Sequence, residues 1–396
     1  MFRYSVIFFL IVVISLPTNA QRLLTESEAV SKALIYNKNL QAASLQVKQQ
    51  QQLLKSAFNI RNPDFFVESP TGNFYTSSIT QSLDFPTVYS NQYRLQKQQI
   101  GVAEKEKILT EAELKYRIKV LYLEAQYTES VSSRLLIQDT LYEKIMMSAI
   151  RQFKAGQIDY LQQTFAETQY GEIHNQYKQS LIKAASIKAQ LGWLIGIKDS
   201  ISLEPMVIVQ LQPQFVSTPD SVALLLNPAI QLFNQQEQVA KQNISLQKSK
   251  ALPGLAFGYF NQGERSTILF NRFRVGLTIP LWFGQYKSNI NAAKTSQQII
   301  QSKQQGFQQE LSAQSVNTTS EIQANWQSVQ YYQHTGLRKA QEVITTSKRF
   351  FESGEIDYIS FMRNSNDAYI IYLKNLEAIR NYNLSVINHK YLMGQL

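Results

Sequence analysis

The sequence repeats itself over almost its whole length, with a spacing that drifts. The segment Phe153-Lys154-Ala155-Gly156-Gln157-Ile158-Asp159-Tyr160 returns 198 residues later as Phe351-Glu352-Ser353-Gly354-Glu355-Ile356-Asp357-Tyr358. The same spacing carries Leu194-Ile195-Gly196 onto Leu392-Met393-Gly394. Upstream it narrows: Leu83-Asp84-Phe85-Pro86 recurs as Leu277-Thr278-Ile279-Pro280 at 194, and Asn37 and Pro63 recur as Asn227 and Pro253 at 190. A duplicated unit this long implies two equivalent structural halves, which constrains the fold before any local element is assigned. We read residues 21–206 as the first structural repeat and residues 207–396 as the second.

Residues 1–20 stand apart. Arg3 gives a positive start, Val6 to Leu16 is a short apolar core, and Pro17-Thr18-Asn19-Ala20 ends on a small residue. This is the pattern of a secretory signal cleaved after Ala20. A membrane anchor is the alternative, but its apolar run is shorter than the ~20 residues that span a bilayer. The chain has no cysteine, so export brings no disulfide, and no thiol is available for metal or catalysis. The 39 Lys plus Arg against 29 Asp plus Glu give a formal charge of +10. They are scattered among Gln-rich stretches rather than gathered in a patch, so nucleic acid is not an expected partner.

Each half predicts one order: helix, strand pair, very long helix, tight turn, helix. Thr25-Glu26-Ser27-Glu28 is a capping box that opens a helix to about Ile60. Strands follow near Phe65–Ser69 and Phe74–Phe85, around the turn Ser69-Pro70-Thr71-Gly72-Asn73. From Thr87 to about Ala155 there is no proline and one glycine, Gly101, which predicts a helix of ~100 Å. Gly156 stops it, Ile158 restarts a helix, and Gly196 ends that one. The second half predicts a helix over about Asp220–Leu252, strands near Leu255–Phe260 and Phe273–Pro280, a long helix over about Gln285–Phe351, a turn at Gly354 and a final helix to Gly394. Asp199–Thr218 links the halves.

The first long helix carries apolar residues on two opposed faces. Leu114, Ile118, Leu121 and Ala125 form one stripe; Tyr116, Val120, Leu123 and Tyr127 form another, ~200° away. Two stripes suit a helix with a neighbour on each side, as in a wall of helices; a buried bundle helix is the alternative. In Phe273 to Ile279 the odd positions are apolar and the even ones are Arg, Gly and Thr. Between Phe74 and Phe85, Thr76, Ser78, Thr80, Ser82 and Asp84 are polar, while Ile79, Leu83 and Phe85 are apolar. That alternation fits lipid outside and water inside a membrane barrel, or equally a soluble sheet with one wet face. Aromatics at the strand ends (Phe74, Tyr75, Tyr89, Trp282, Phe283, Tyr286) suit an interfacial girdle. Four strands cannot close a barrel, and open edges are not tolerated in lipid, so closure would need several copies.

This arrangement resembles the TolC family of bacterial outer-membrane efflux ducts over essentially all of residues 21–396. The bearers are the two turns around Gly156 and Gly354, the helix starts at Asn37 and Asn227-Pro228, Pro63 and Pro253 before the strands, and Pro86 and Pro280 after them. Ser78 to Tyr89 is similar to the heavy-metal-cation division. The resemblance implies a mainly α chain with a small membrane β part, assembled as a homotrimer. A 12-stranded β-barrel in the outer membrane would continue into a long periplasmic α-barrel. It implies that Phe153, Gly156, Ile158, Asp159, Tyr160, Phe351, Gly354, Ile356 and Tyr358 form a periplasmic tip that meets an adaptor protein. An inner-membrane pump, of the resistance-nodulation-division type, would supply the energy. It also makes Asp357 a gate candidate; Ser360 stands where a second acid is expected. Asp159 and Asp357 read equally as helix caps.

Chemistry of other kinds is not legible. His174, His334 and His389 lie far apart, without ligand spacing. There is no phosphate loop or nucleophile motif, so neither catalysis nor a cofactor is expected. The reading is a passive exit duct for solutes, with metal cations or drugs as cargo. A soluble periplasmic coiled-coil adaptor is the rival.

Overall fold

The computed structural model describes residues 23–69, 72, 75–197, 201–209, 225–261, 268 and 272–396. The N-terminal segment read as a signal lies outside them, as do Phe74, most of the turn before it and much of the linker.

The first half opens with α1 (Glu26–Tyr36) and α2 (Lys38–Leu53). The capping box is present: Glu28 N–H donates to Thr25 Oγ1 and Thr25 N–H to Glu28 Oε2. The single helix expected to about Ile60 is in fact two. Asn37 leaves helical geometry, with ψ 121°, and its Oδ1 accepts from Leu40 N–H at 3.1 Å to cap α2. After α2 a 3-10 turn at Leu54–Ser56 ends the helical run, short of Ile60.

β1 (Asp64–Glu68) starts directly after Pro63, and β2 (Thr76–Leu83) follows. α3 (Pro86–Lys154) has 69 residues and a length of ~100 Å. Pro86 occupies its first turn, where a missing N–H costs nothing. α4 (Tyr160–Ile195) begins two residues after Ile158 because Asp159 is its cap.

The second half repeats this order. α5 (Pro228–Ser249) begins at the Asn227 cap rather than near Asp220 and ends three residues before Leu252. β3 (Gly254–Asn261) starts directly after Pro253, and β4 (Phe273–Thr278) follows. α6 (Phe283–Tyr331) starts three residues after Pro280, so Pro280, unlike Pro86, does not open its helix. The expected long helix is interrupted: a π turn at Tyr332–Gly336 precedes α7 (Leu337–Glu352). α8 (Tyr358–Leu392) closes the chain. These three segments, of 49, 5 and 16 residues, hold one residue more than α3. A π turn widens the ring from i→i+4 to i→i+5, so it absorbs one extra residue without turning the helix below it.

The helices form a wall four columns wide. α2 and α4 lie along α3 on one side, α5 and α8 lie along it on the other, and α6 with α7 packs beyond them. Hydrogen bonds fix the levels: Gln96 to Gln50 and Gln98 to Gln235 in the upper part, Tyr116 to Asn388 and Tyr142 to Met362 lower down. Both stripes of α3 find partners. Leu114, Ile118, Leu121 and Ala125 pack with Ala29, Ala33, Ile187 and Leu191, while Tyr116 stacks on Tyr391 at 4.5 Å. No helix among the described residues is long and apolar enough to cross a membrane.

Candidate functional site

The two ends of the wall carry what the sequence singled out. At one end the strands pair antiparallel in the order β1-β2-β3-β4, leaving β1 and β4 as open edges. The register places Phe65 opposite Ile79, Ile79 opposite Tyr259, and Tyr259 opposite Phe273. One face therefore collects Phe65, Val67, Ile79, Leu83, Leu255, Phe257, Val275 and Leu277. Most of these are exposed, Val275 to 76%. The other face carries Asp64, Thr80, Gly258 and Arg274 in one cross-strand row. The Arg274 guanidinium lies 4.1 Å above the Phe260 ring on that face. Alternation read from single strands thus becomes one largely apolar face, interrupted by Ser77, Gln81 and Asn261, backed by a mainly polar one.

The aromatics at the strand ends differ in exposure. Tyr75, Trp282 and Phe283 are exposed and Tyr286 is half-buried. Tyr89 is not among the exposed ones. It is buried against Phe58, and its hydroxyl oxygen accepts from Asp84 N–H at 2.9 Å, so it locks the strand–helix junction instead.

At the other end the two turns are built alike. Gly156 and Gly354 have φ +69° and +79°, a left-handed geometry that favours glycine. Gln157 N–H reaches back to the Gln152 carbonyl and Glu355 N–H to the Phe350 carbonyl, which closes a Schellman turn in each case. Asp159 Oδ1 accepts from Gln162 N–H at 2.7 Å and Asp357 Oδ1 from Ser360 N–H at 2.8 Å. Both acids are helix caps.

The turns share one apolar cluster: Tyr142, Ile145 and Ala149 of α3, Ala166 of α4, and Phe361 and Met362 of α8, with Ile158, Phe351 and Ile356 against it. Equivalent residues part company here. Tyr358 is 4% exposed, beneath Phe351 and hydrogen-bonded to Ser148 Oγ, whereas Tyr160 is 69% exposed beside Phe153.

The Ser360 hydroxyl, and then its N–H, hold the Asp357 carboxyl below its usual range. A depressed carboxyl stabilises the fold above the unfolded pKa of ~4, and this is lost as pH falls through the lower folded value. Asp357→Ala should cost ~1 kcal/mol, while Asp357→Asn keeps the cap and removes only the charge. Acid titration of helicity should show the parent losing more than Asp357→Asn below about pH 4. Equal acid sensitivity would remove the charge from the account.

Sequence reasoning missed the polar contacts between columns. His174 Nδ1 lies 3.0 Å from Asp139 Oδ1, and Lys188 pairs with Glu129 at 2.6 Å. Glu124 is held by Arg380 and Lys183. Burial pushes the His389 imidazole below its ordinary pKa and Tyr122 and Tyr142 up to about 12. Among the described residues no group of three or more His, Asp or Glu could hold a metal ion.

A family model described as outer membrane efflux protein matches residues 221–367. No curated protein sequence matches the chain significantly. Solved structures match over nearly its whole length. That of CusC, described with folding and transmembrane channel formation, has a TM-score of 0.78 at 16% identity, covering 93% of this chain and 92% of that one. The open-state MtrE outer membrane channel of Neisseria gonorrhoeae gives 0.76 at 15% identity, covering 93% and 88%. The Campylobacter jejuni CmeC outer membrane channel gives 0.76 at 14%, covering 93% and 85%. With its long helical wall, four-stranded sheet and paired turns, the chain has the fold of these outer-membrane channels.

Proposed function

We propose that the protein is the outer-membrane exit duct of a tripartite efflux system. The observation that carries this reading is the sheet: an exposed apolar face on a ribbon with both edges open. In water such a ribbon is an aggregation hazard, and in lipid its unpaired edges would each leave several polar groups unsatisfied. Three copies joined edge to edge satisfy both, with twelve strands around a lumen lined by the polar face. The outer columns of the wall also carry exposed apolar residues, Leu45 and Ile182 on one side and Ile299 and Val316 on the other, which suit neighbouring copies.

On this reading residues 1–20 are the export signal, 21–206 and 207–396 are the two repeats, and the helices stand in the periplasm. The turns meet an adaptor through Phe153, Tyr160 and their surroundings, and a proton-driven inner-membrane pump supplies the energy. Metal cations are the cargo we assign first, from the likeness of residues 78–89 alone; drugs are the rival cargo. A strain lacking the gene should lose tolerance to the metal ions or to the drugs, which separates the two.

Reconstitution in planar bilayers tests the duct directly. The parent should give discrete, steadily conducting channels, and a folded, water-soluble monomer without insertion would end the reading. Asp357→Asn, with its cap intact, isolates the gate. A raised open probability and weaker cation preference are expected, and unchanged traces would leave Asp357 as a cap only.

A further inference from the structure

Near its middle, α3 is covered by α1 on one face and lines an open groove on another. On the covered side Lys119 pairs with Glu26, the Tyr122 hydroxyl donates to the Leu24 carbonyl at 2.7 Å, and Gln126 Nε2 donates to the Glu204 carbonyl at 2.7 Å. α1 and residues 201–205 therefore lie over that face. On another face, Arg117, Leu121 and Glu124 line a groove of about 720 Å³ between α4, α3 and α8.

The groove is lined mainly by apolar groups, and Trp193 presents its indole with 80% of the residue exposed. Tyr116, also in the lining, is fixed by its hydrogen bond to Asn388 at 2.9 Å. The one acid in the lining, Glu124, is already engaged by Arg380 at 3.0 Å and Lys183 at 3.5 Å. Arg117 is exposed and has no acidic partner among the described residues. Volume, apolar lining and a small number of oriented polar groups are the attributes of small-molecule sites. The uncompensated charge sets the sign of the guest.

We propose that this groove binds amphiphilic aromatic anions, a ring system bearing a carboxylate or sulfonate. The rings lie against Trp193 and Leu121 and the head group pairs with Arg117. An organic cation of the same shape gains the ring contacts and is repelled by the guanidinium. All three helices belong to one chain, so the site is complete in a single copy and does not rest on the duct reading.

The test is calorimetric titration of the full chain, in lipid nanodiscs or in buffer alike, with naphthalene-2-sulfonate and with 2-naphthyltrimethylammonium. The sulfonate should bind at least about tenfold more tightly. Arg117→Gln should abolish that preference, Arg117→Lys should keep most of it, and Trp193→Ala should weaken the sulfonate about tenfold. Both side chains are exposed, so helicity should be unchanged in every variant. No saturable binding at millimolar sulfonate, equal affinity for the two probes, or an affinity unmoved by both substitutions would overturn the proposal; the last result would place the probe elsewhere.

Discussion

Val275→Arg should keep the protein out of the bilayer. Val275 lies mid-strand in β4, opposite Phe257, on the apolar face of the sheet. An arginine on the lipid face near the membrane midplane costs ~2–4 kcal/mol, and in a trimer each copy adds its own. The matched control is Thr80→Lys on the other face, where the new ammonium sits opposite Asp64 and faces water. Fractionation of membranes, with channel activity in liposomes, should show Thr80→Lys inserted and Val275→Arg absent. Equal insertion of the two would mean that the apolar face does not meet lipid.

Tyr142→Ala should cause the largest loss of helical stability, ~3–5 kcal/mol. The residue is fully buried where α3, α4 and α8 meet, and its hydroxyl donates to the Met362 carbonyl at 3.1 Å. Truncation removes the ring, leaves a cavity and takes away the second hydrogen bond to that carbonyl, which keeps its helical partner. Tyr142→Phe loses only the hydrogen bond and should cost ~1 kcal/mol. Thermal melts followed at 222 nm separate the two. A similar small loss for both would mean that the cluster joining the two turns is loosely packed.

Much of this architecture was legible because it rests on local chemistry. Glycines with positive φ, proline at a helix start and a capping box act within a few residues, so Gly156, Pro86 and Thr25 could be placed without tertiary knowledge. The break at Asn37 was visible only as a repeated asparagine, since both flanking segments read as good helix. The opposed stripes of α3 gave the neighbours on both sides, because period alone decides which residues share a face. What could not be read depends on partners distant in sequence. Nothing near Tyr89 reveals that its hydroxyl closes onto the strand end, and Tyr160 and Tyr358 sit in the same motif yet face opposite fates. The charge pairs across columns join residues up to 256 apart in the chain, as in Arg380 with Glu124. The apolar cluster shared by the two turns likewise became visible only when α3, α4 and α8 met. The caps at Asp159 and Asp357 were readable as caps, but the spacing could not say which role each carboxylate serves.

The π turn at Tyr332–Gly336 has a geometric consequence. In an unbroken helix one surplus residue would swing everything beneath it by ~100°. Ala340 and Ser347, both buried in the structure, would then point away from the neighbours that now enclose them. By loosening a single loop of the spiral, the later half of the chain keeps its lower portion in phase with the earlier half despite unequal counts. Two halves of one plan can differ in length and still finish level, provided the mismatch is parked at one such joint.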